Sequence, residues 1–342
     1  MKKITLKDVA SKLGVSTATV SNAFNRPDQL SNQLREHILQ QCKELGYFGP
    51  NAAARSLKMG KSGIIGVVLS DRLQYSFTDP IAKRFLAGIA EVFDKAKVNL
   101  LLLPSREEFY QDRPFDTFGD GFILYGTPND PNTLQRFLGH NKPVVTVDMD
   151  IENYVFIHVD NENAAKEMAE HAVSRPYTQA AILGLKLTPS ENVCRIRPED
   201  LYDKSSSVSR RRLAGYQSAF VAQNGKELEK EWIWSIPENE HEPAYQAARE
   251  ALMCHPRPDL ILCSSDRIAL TTMEACRELN IRVPEDIRIY GFDDIPEARE
   301  AGLTTVHQPQ NTKGRIAAEM ILGQRPLKNH IVNTKLVLRD SG

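Results

Sequence analysis

At 342 residues the chain is longer than one ordinary core organises, so two or three domains are expected. No apolar run is long enough to span a bilayer. Lysines at 2, 3, 7 and 12 with Asp8 leave no apolar segment for a signal peptide, so a cytoplasmic protein without membrane partners is expected. Five scattered cysteines with no C-x-x-C pair argue against a disulfide framework and a structural zinc site; neither metal nor cofactor is expected.

The formal net charge of −1 conceals an asymmetry. Residues 1–61 carry ten basic and four acidic side chains, leaving 33 basic against 40 acidic in the remainder. A basic head on an acidic body suits a head that meets phosphate.

In chain order, Thr5-x-x-Asp8 reads as a capping box opening a helix over Leu6–Leu13. Gly14 suits the left-handed residue that ends it, and Val15 turns inward. Ser16 caps a second helix from Thr17 to about Phe24, with Val20 and Ala23 or Phe24 facing inward. Two short helices joined by a tight glycine turn make a helix-turn-helix. Thr17, Ala18, Ser21 and Asn22 on the outer face are small or hydrogen-bonding, as entry into a major groove requires. Ser16, Thr19 and Asn25 suit phosphate oxygens. A polar helix face ordinarily meets only solvent; on a basic head at this spacing, DNA is the better reading. Ser31 caps a scaffold helix over about Asn32–Leu45, with Leu34, Ile38, Leu39 and Cys42 or Leu45 as its buried stripe.

Pro50-Asn51 opens a segment through Arg55 and Leu57, too short to be a stable isolated helix. Ordering on DNA would let Leu57 wedge between base pairs in the minor groove, although a plain linker is the default. Gly60-Lys61-Ser62 imitates the end of a phosphate-binding loop, but its first glycine would fall at Arg55, and that reading fails.

Beyond Ile64–Leu69, strand candidates are Asn99–Leu103, Gly121–Leu124, Val144–Val147, Ala180–Leu183, Leu260–Cys263 and Ile287–Tyr290. Between them lie helices near Ile81–Lys97, Ala164–Val173, Arg211–Asn224, Glu242–Cys254 and Asp266–Leu279. The alternation predicts parallel sheets covered on both faces, in two halves meeting near Val159–Asn163. Ligands of such sheets bind beyond the strands' carboxyl ends, where Tyr125, Asp148, Asp266 and Asp293 fall. Arg212, at a helix start, and Gln308 complete a set able to read a polyol or a nucleoside; Tyr75 or Phe77 would add an apolar wall. Residues 186–209 form an unusually long connection that would roof this pocket. No G-x-S-x-G or H-E-x-x-H motif occurs, which leaves catalysis a weak alternative.

Ile4 through Ala10, Gly14-Val15-Ser16, Thr19-Val20-Ser21, Asn25, Leu45-Gly46-Tyr47 and Pro50-Asn51 through Leu57 closely resemble the lactose repressor/galactose repressor family. The resemblance extends over the whole chain. It implies an all-α helix-turn-helix head on an α/β, periplasmic-binding-protein-like body of two doubly wound parallel-sheet lobes. It implies base readout by Thr17, Ala18 and Asn22, with Thr5, Ser16, Thr19, Ser21, Asn25, Asn51, Arg55 and Leu57 completing the DNA contacts. It also implies an effector pocket lined by the residues named above.

The expected division is 1–50 for the head, 51–61 for a hinge helix and linker, and 62–342 for the body. Within the body, one lobe takes about 62–160 plus 309–324 and the other about 163–308 plus 325–342. The expected function is a transcription regulator, by resemblance a repressor, that binds a palindromic DNA operator as a homodimer under small-molecule control. The rivals are a small-molecule binding protein without DNA function and an enzyme on the same lobed fold. Two features depart from the family pattern. Many members carry a long side chain where Asn22 stands, and Gly49 reads as an extra residue before the hinge.

Overall fold

The structure is a computed structural model that describes residues 4–49, 61–105, 119–128, 131–139, 141–203 and 207–342. The chain divides into two compact units, Met1–Gly63 and Ile64–Gly342.

The first unit holds helices α1 (Leu6–Leu13), α2 (Thr17–Asn25) and α3 (Asn32–Glu44). Both halves of the capping box form: Asp8 N donates to Thr5 Oγ1 while Thr5 N donates to Asp8 Oδ2. Gly14 takes the left-handed conformation at φ +65°. Ser16 Oγ accepts from Thr19 N to start α2, and Ser31 Oγ accepts from Leu34 N to start α3. Val9, Ala10, Val20, Ala23, Ile38, Cys42 and Tyr47 form the buried core. Arg35 Nε donates to Ala23 O, tying α3 to the end of α2. Leu34, expected in the buried stripe, is instead 38% exposed. Gly49 has φ +113°, and a Cβ there would meet the Phe24 ring at 3.2 Å, so this position calls for glycine on two grounds.

In the second unit, the first sheet comprises β1 (Ile64–Leu69), β2 (Asn99–Pro104), β3 (Gly121–Tyr125), β4 (Val144–Val147), β5 (Val155–Val159) and β12 (His330–Val332). They are all parallel, in the order β12-β5-β4-β3-β1-β2. The second contains β6 (Ala180–Leu185), β7 (Cys194–Arg195), β8 (Ile233–Ile236), β9 (Leu260–Cys263) and β10 (Arg288–Tyr290), in the order β10-β9-β6-β8-β7. Only β7, at its edge, is antiparallel. A small ribbon pairs β11 (Thr305–His307) with β13 (Lys335–Val337). The first lobe is covered by α4 (Leu73–Thr78), α5 (Pro80–Ala96), α6 (Pro131–Gly139) and α12 (Gln310–Ile321). The second is covered by α7 (Asn161–Val173), α8 (Val208–Asn224), α9 (His241–Leu252), α10 (Asp266–Glu278) and α11 (Pro296–Glu300).

The chain returns to the second lobe later than the expected 325. Strand β12 joins the first sheet beside β5, so the last crossing lies between Val332 and Lys335. Helices α5 and α12 touch backbone to backbone. A Cβ on Gly88 would lie 2.1 Å from Asn311 O, and one on Gly314 2.1 Å from Phe85 O. That close approach fixes the depth of α12 against the first lobe.

Candidate functional site

Of the head residues singled out from sequence, Thr5, Ser16, Thr17, Ala18 and Asn25 are exposed, while Thr19, Ser21 and Asn22 are half-buried. Thr5 and Ser16 act as helix caps, which leaves their hydroxyls at the two helix N-termini. Asn25 Nδ2 donates to Ser21 O and Oγ, so that pair is partly engaged within α2. Asn51, Arg55 and Leu57 lie outside the described residues.

In the body, a cleft of about 530 Å³ opens between the lobes at the carboxyl ends of both sheets. Tyr75, Tyr125, Asp148, Arg212, Asp293 and Gln308 all line it, brought together from positions spread over more than 230 residues. Asp148, after β4, and Asp293, after β10, have φ of +57° and +124°. Non-glycine residues rarely adopt such conformations, and backbone strain of this kind clusters at ligand sites.

Arg212 is the fifth residue of α8. Its Nε donates to Asn161 Oδ1 at 3.0 Å and its Nη1 to Ser264 O at 2.5 Å; Asp293 Oδ1 lies 3.6 Å from Nη1. Gln308 Nε2 donates to Asp293 Oδ1 at 2.6 Å. Burial pushes the Asp293 carboxyl well above the usual range, and the Arg212 charge only partly offsets it. Tyr125 stacks on Phe85 with centroids 4.2 Å apart; burial and then the Asp148 charge hold its hydroxyl protonated. Asp148 accepts from Lys313 Nζ on both oxygens, at 2.6 and 2.8 Å.

Two expectations are corrected. Phe77 is 59% exposed and outside the cleft, because α4 turns Tyr75 inward and therefore Phe77 outward. Asp266 is fully buried but is not part of the lining. Its carboxylate accepts from Thr305 Oγ1 and Ile295 N, holding the segment after β10 and the first residue of β11 in place.

Sequence reasoning missed several lining residues. Asp71 and Asp79 flank α4, Asn239 follows β8, Ser265 caps α10 and Gln310 opens α12. Tyr75 OH donates to Asp79 Oδ1 and accepts from Asn239 Nδ2, whose Oδ1 accepts from Ser265 Oγ. This chain of hydrogen bonds joins the two lobes. Lys186, Tyr202 and Ser207–Ser209 place both ends of the long connection on the cleft wall, while its middle forms edge strand β7. Buried Lys313 carried a signal of its own: it lies at an inward position of a helix, on the same face as Gly314, Ala317 and Ile321.

Among the described residues no helix is long and apolar enough to cross a membrane. Residues 5–51 match the bacterial regulatory proteins, lacI family, and residues 165–342 match the periplasmic binding protein-like domain. The chain is 35% identical over 329 residues to an HTH-type transcriptional regulator of Mycobacterium tuberculosis, covering 94% of this chain and 91% of that protein. It is 31% identical over 326 residues to the HTH-type transcriptional regulator IpsA of Corynebacterium glutamicum, covering 93% and 90%. Among solved structures, a lac repressor dimer bound to operator shares the fold at TM-score 0.74 and 23% identity, covering 99% of each chain. A CelR–cellobiose complex does so at TM-score 0.68 and 24% identity, covering 99% of this chain and all of that one. With the capped helix-turn-helix and the two-lobed body in place, the chain belongs to the lacI family of bacterial transcriptional regulators.

Proposed function

We propose that this regulator is a cytoplasmic repressor that binds a palindromic operator as a homodimer and is controlled by a small molecule held in the interlobe cleft. One observation carries the effector half of this reading: six residues distant in sequence converge on a single cavity at the strand ends. Carboxylates that accept and an arginine that donates in a fork suit a hydroxyl-bearing ligand. Among the described residues the cleft lining contains no histidine or cysteine, so it lacks the usual partners of an activated nucleophile. A binding role accords with the transcriptional regulators this chain resembles.

In the head, Thr17, Ala18 and Asn22 read base edges, while Thr5, Ser16, Thr19, Ser21 and Asn25 position the backbone. Asn51 and Arg55 contact phosphate, and Leu57 is the minor-groove wedge. A dimer matches a palindrome because each head reads one half-site. The effector binds the two lobe arrangements unequally and thereby shifts operator affinity, typically by about 1–3 kcal/mol.

Selection of binding sequences from a random duplex pool by the full-length protein tests the DNA half. A palindromic consensus should emerge, and log affinity should fall steeply with log salt concentration. A salt slope near zero would end the DNA reading. Screening sugars, nucleosides and purines by melting temperature tests the effector half, since a ligand of the native state raises it.

A further inference from the structure

Lys313 is the most unusual group near the cleft. It is fully buried on α12, behind the lining, and its ammonium donates to both oxygens of Asp148, which faces the cavity. Burying an ammonium is costly without a partner, and the buried face of α12 beyond Gln310 is otherwise apolar, with Gly314, Ile316, Ala317, Ala318, Met320 and Ile321. The other acids of the wall are also engaged. Asp71 pairs with Lys186 at 3.3 Å, and Asp293 lies beside Arg212. Asp79 accepts from Ala82 N and Tyr75 OH.

We propose that Lys313 is a specificity-determining positioning residue: as internal counter-ion of Asp148, it makes the cleft select an uncharged, hydroxyl-bearing effector over its amino or phosphorylated counterpart. The inference rests on the cleft being the effector site. With Lys313 in place, the Asp148 oxygens remain oriented acceptors for ligand hydroxyls, yet Asp148 itself offers no unpaired charge to attract an amine. A phosphate brought against Asp148 would meet a carboxylate whose counter-ion is already engaged on the far side. The contact between α5 and α12 at Gly88 and Gly314 holds Lys313 at this depth, one residue from the crossing point.

The test uses matched triads: ribose, glucose and cellobiose, each with its amino and phosphorylated counterpart, titrated calorimetrically into the full-length protein. The wild type should take a neutral member at least about tenfold more tightly than its charged counterparts, as expected where one unpaired charge decides. Lys313→Met should lower neutral-ligand affinity and move preference towards the amine. Lys313→Arg should restore the original order. The charge-neutral double variant Lys313→Met with Asp148→Asn should recover part of the neutral preference, and it keeps the test available if the single variant unfolds. A wild type that prefers a phosphate or amine overturns the inference alone, as does a Lys313→Met variant with unchanged selectivity. Binding that survives Arg212→Ala, or no binding by any member, overturns the reading of the cleft itself.

Discussion

The Arg212 guanidinium lies over the ring of Phe292, its central carbon 3.7 Å from the ring centre, while its nitrogens donate to Asn161 and Ser264. Stacking and a planar fork are used together, and lysine reproduces neither. Arg212→Lys is therefore expected to destabilise the body by about 1–3 kcal/mol, the range for hydrogen bonds to a charged group. It should also weaken effector binding by more than tenfold, roughly 1.4 kcal/mol. Urea unfolding and calorimetry measure the two effects separately. Effector affinity equal to wild type would remove Arg212 from the site.

The body should have a distinctive pH profile. Burial raises Asp266 to about 6 and Asp293 to about 8, against an ordinary value of 3.8. A carboxyl whose folded pKa exceeds its unfolded one stabilises the fold at low pH, and that contribution is lost as pH rises through the folded value. Asp294 opposes this trend: burial pushes it up, but hydrogen bonds from Arg339 and His307 outweigh burial and lower it. Its contribution is present above the ordinary carboxylate range and lost on acidification. Melting temperature should therefore decline from about pH 4 to pH 8, more steeply below pH 6 where both carboxyls contribute, and Asp293→Asn should flatten the part between pH 6 and pH 8. An unchanged slope in the variant would show that Asp293 is ionised throughout.

Gly314→Ala sets two effects against each other. Alanine is the better helix former by about 1 kcal/mol. Its Cβ would lie 2.1 Å from Phe85 O, however, and backbone cannot move aside cheaply. Overpacking of this kind costs about 1–3 kcal/mol, so the net expectation is a lower melting temperature. A rise would mean that α5 and α12 can separate freely.

The head and the cleft were legible in the sequence to different degrees, for physical reasons. Helix caps are local: Thr5 with Asp8, and Ser16 with Thr19, lie three residues apart, and the contacts form as read. Asp148 and Asp293 could be placed because strand ends in an alternating α/β pattern converge, whereas Arg212, on a helix, and Gln308, after short β11, were reached through the family resemblance. Asp266 occupies an equivalent strand-end position, yet its carboxylate is taken up by Thr305 and Ile295, partners invisible without the packing. Strands β8 and β11–β13 have three or four residues each, too few for a period to register. With β8 unseen, Asn239 in the turn beyond it was unseen as well.

The proposed sequence readout can be tested most directly at Asn22. It is half-buried on α2, in the turn after exposed Thr17 and Ala18, and the caps that hold the helix lie elsewhere. Replacing it should therefore alter what is read without unfolding the reader. Asparagine pairs bidentately with adenine, whereas arginine prefers guanine. Asn22→Arg should change one symmetric pair of letters in the selected consensus, adenine giving way to guanine. Affinity for the original sequence should fall by about 1–3 kcal/mol per half-site while the melting temperature stays the same. Parallel selection with the wild type and the variant measures the change. The same consensus from both proteins would place Asn22 outside the base-reading set and leave Thr17 and Ala18 to carry it.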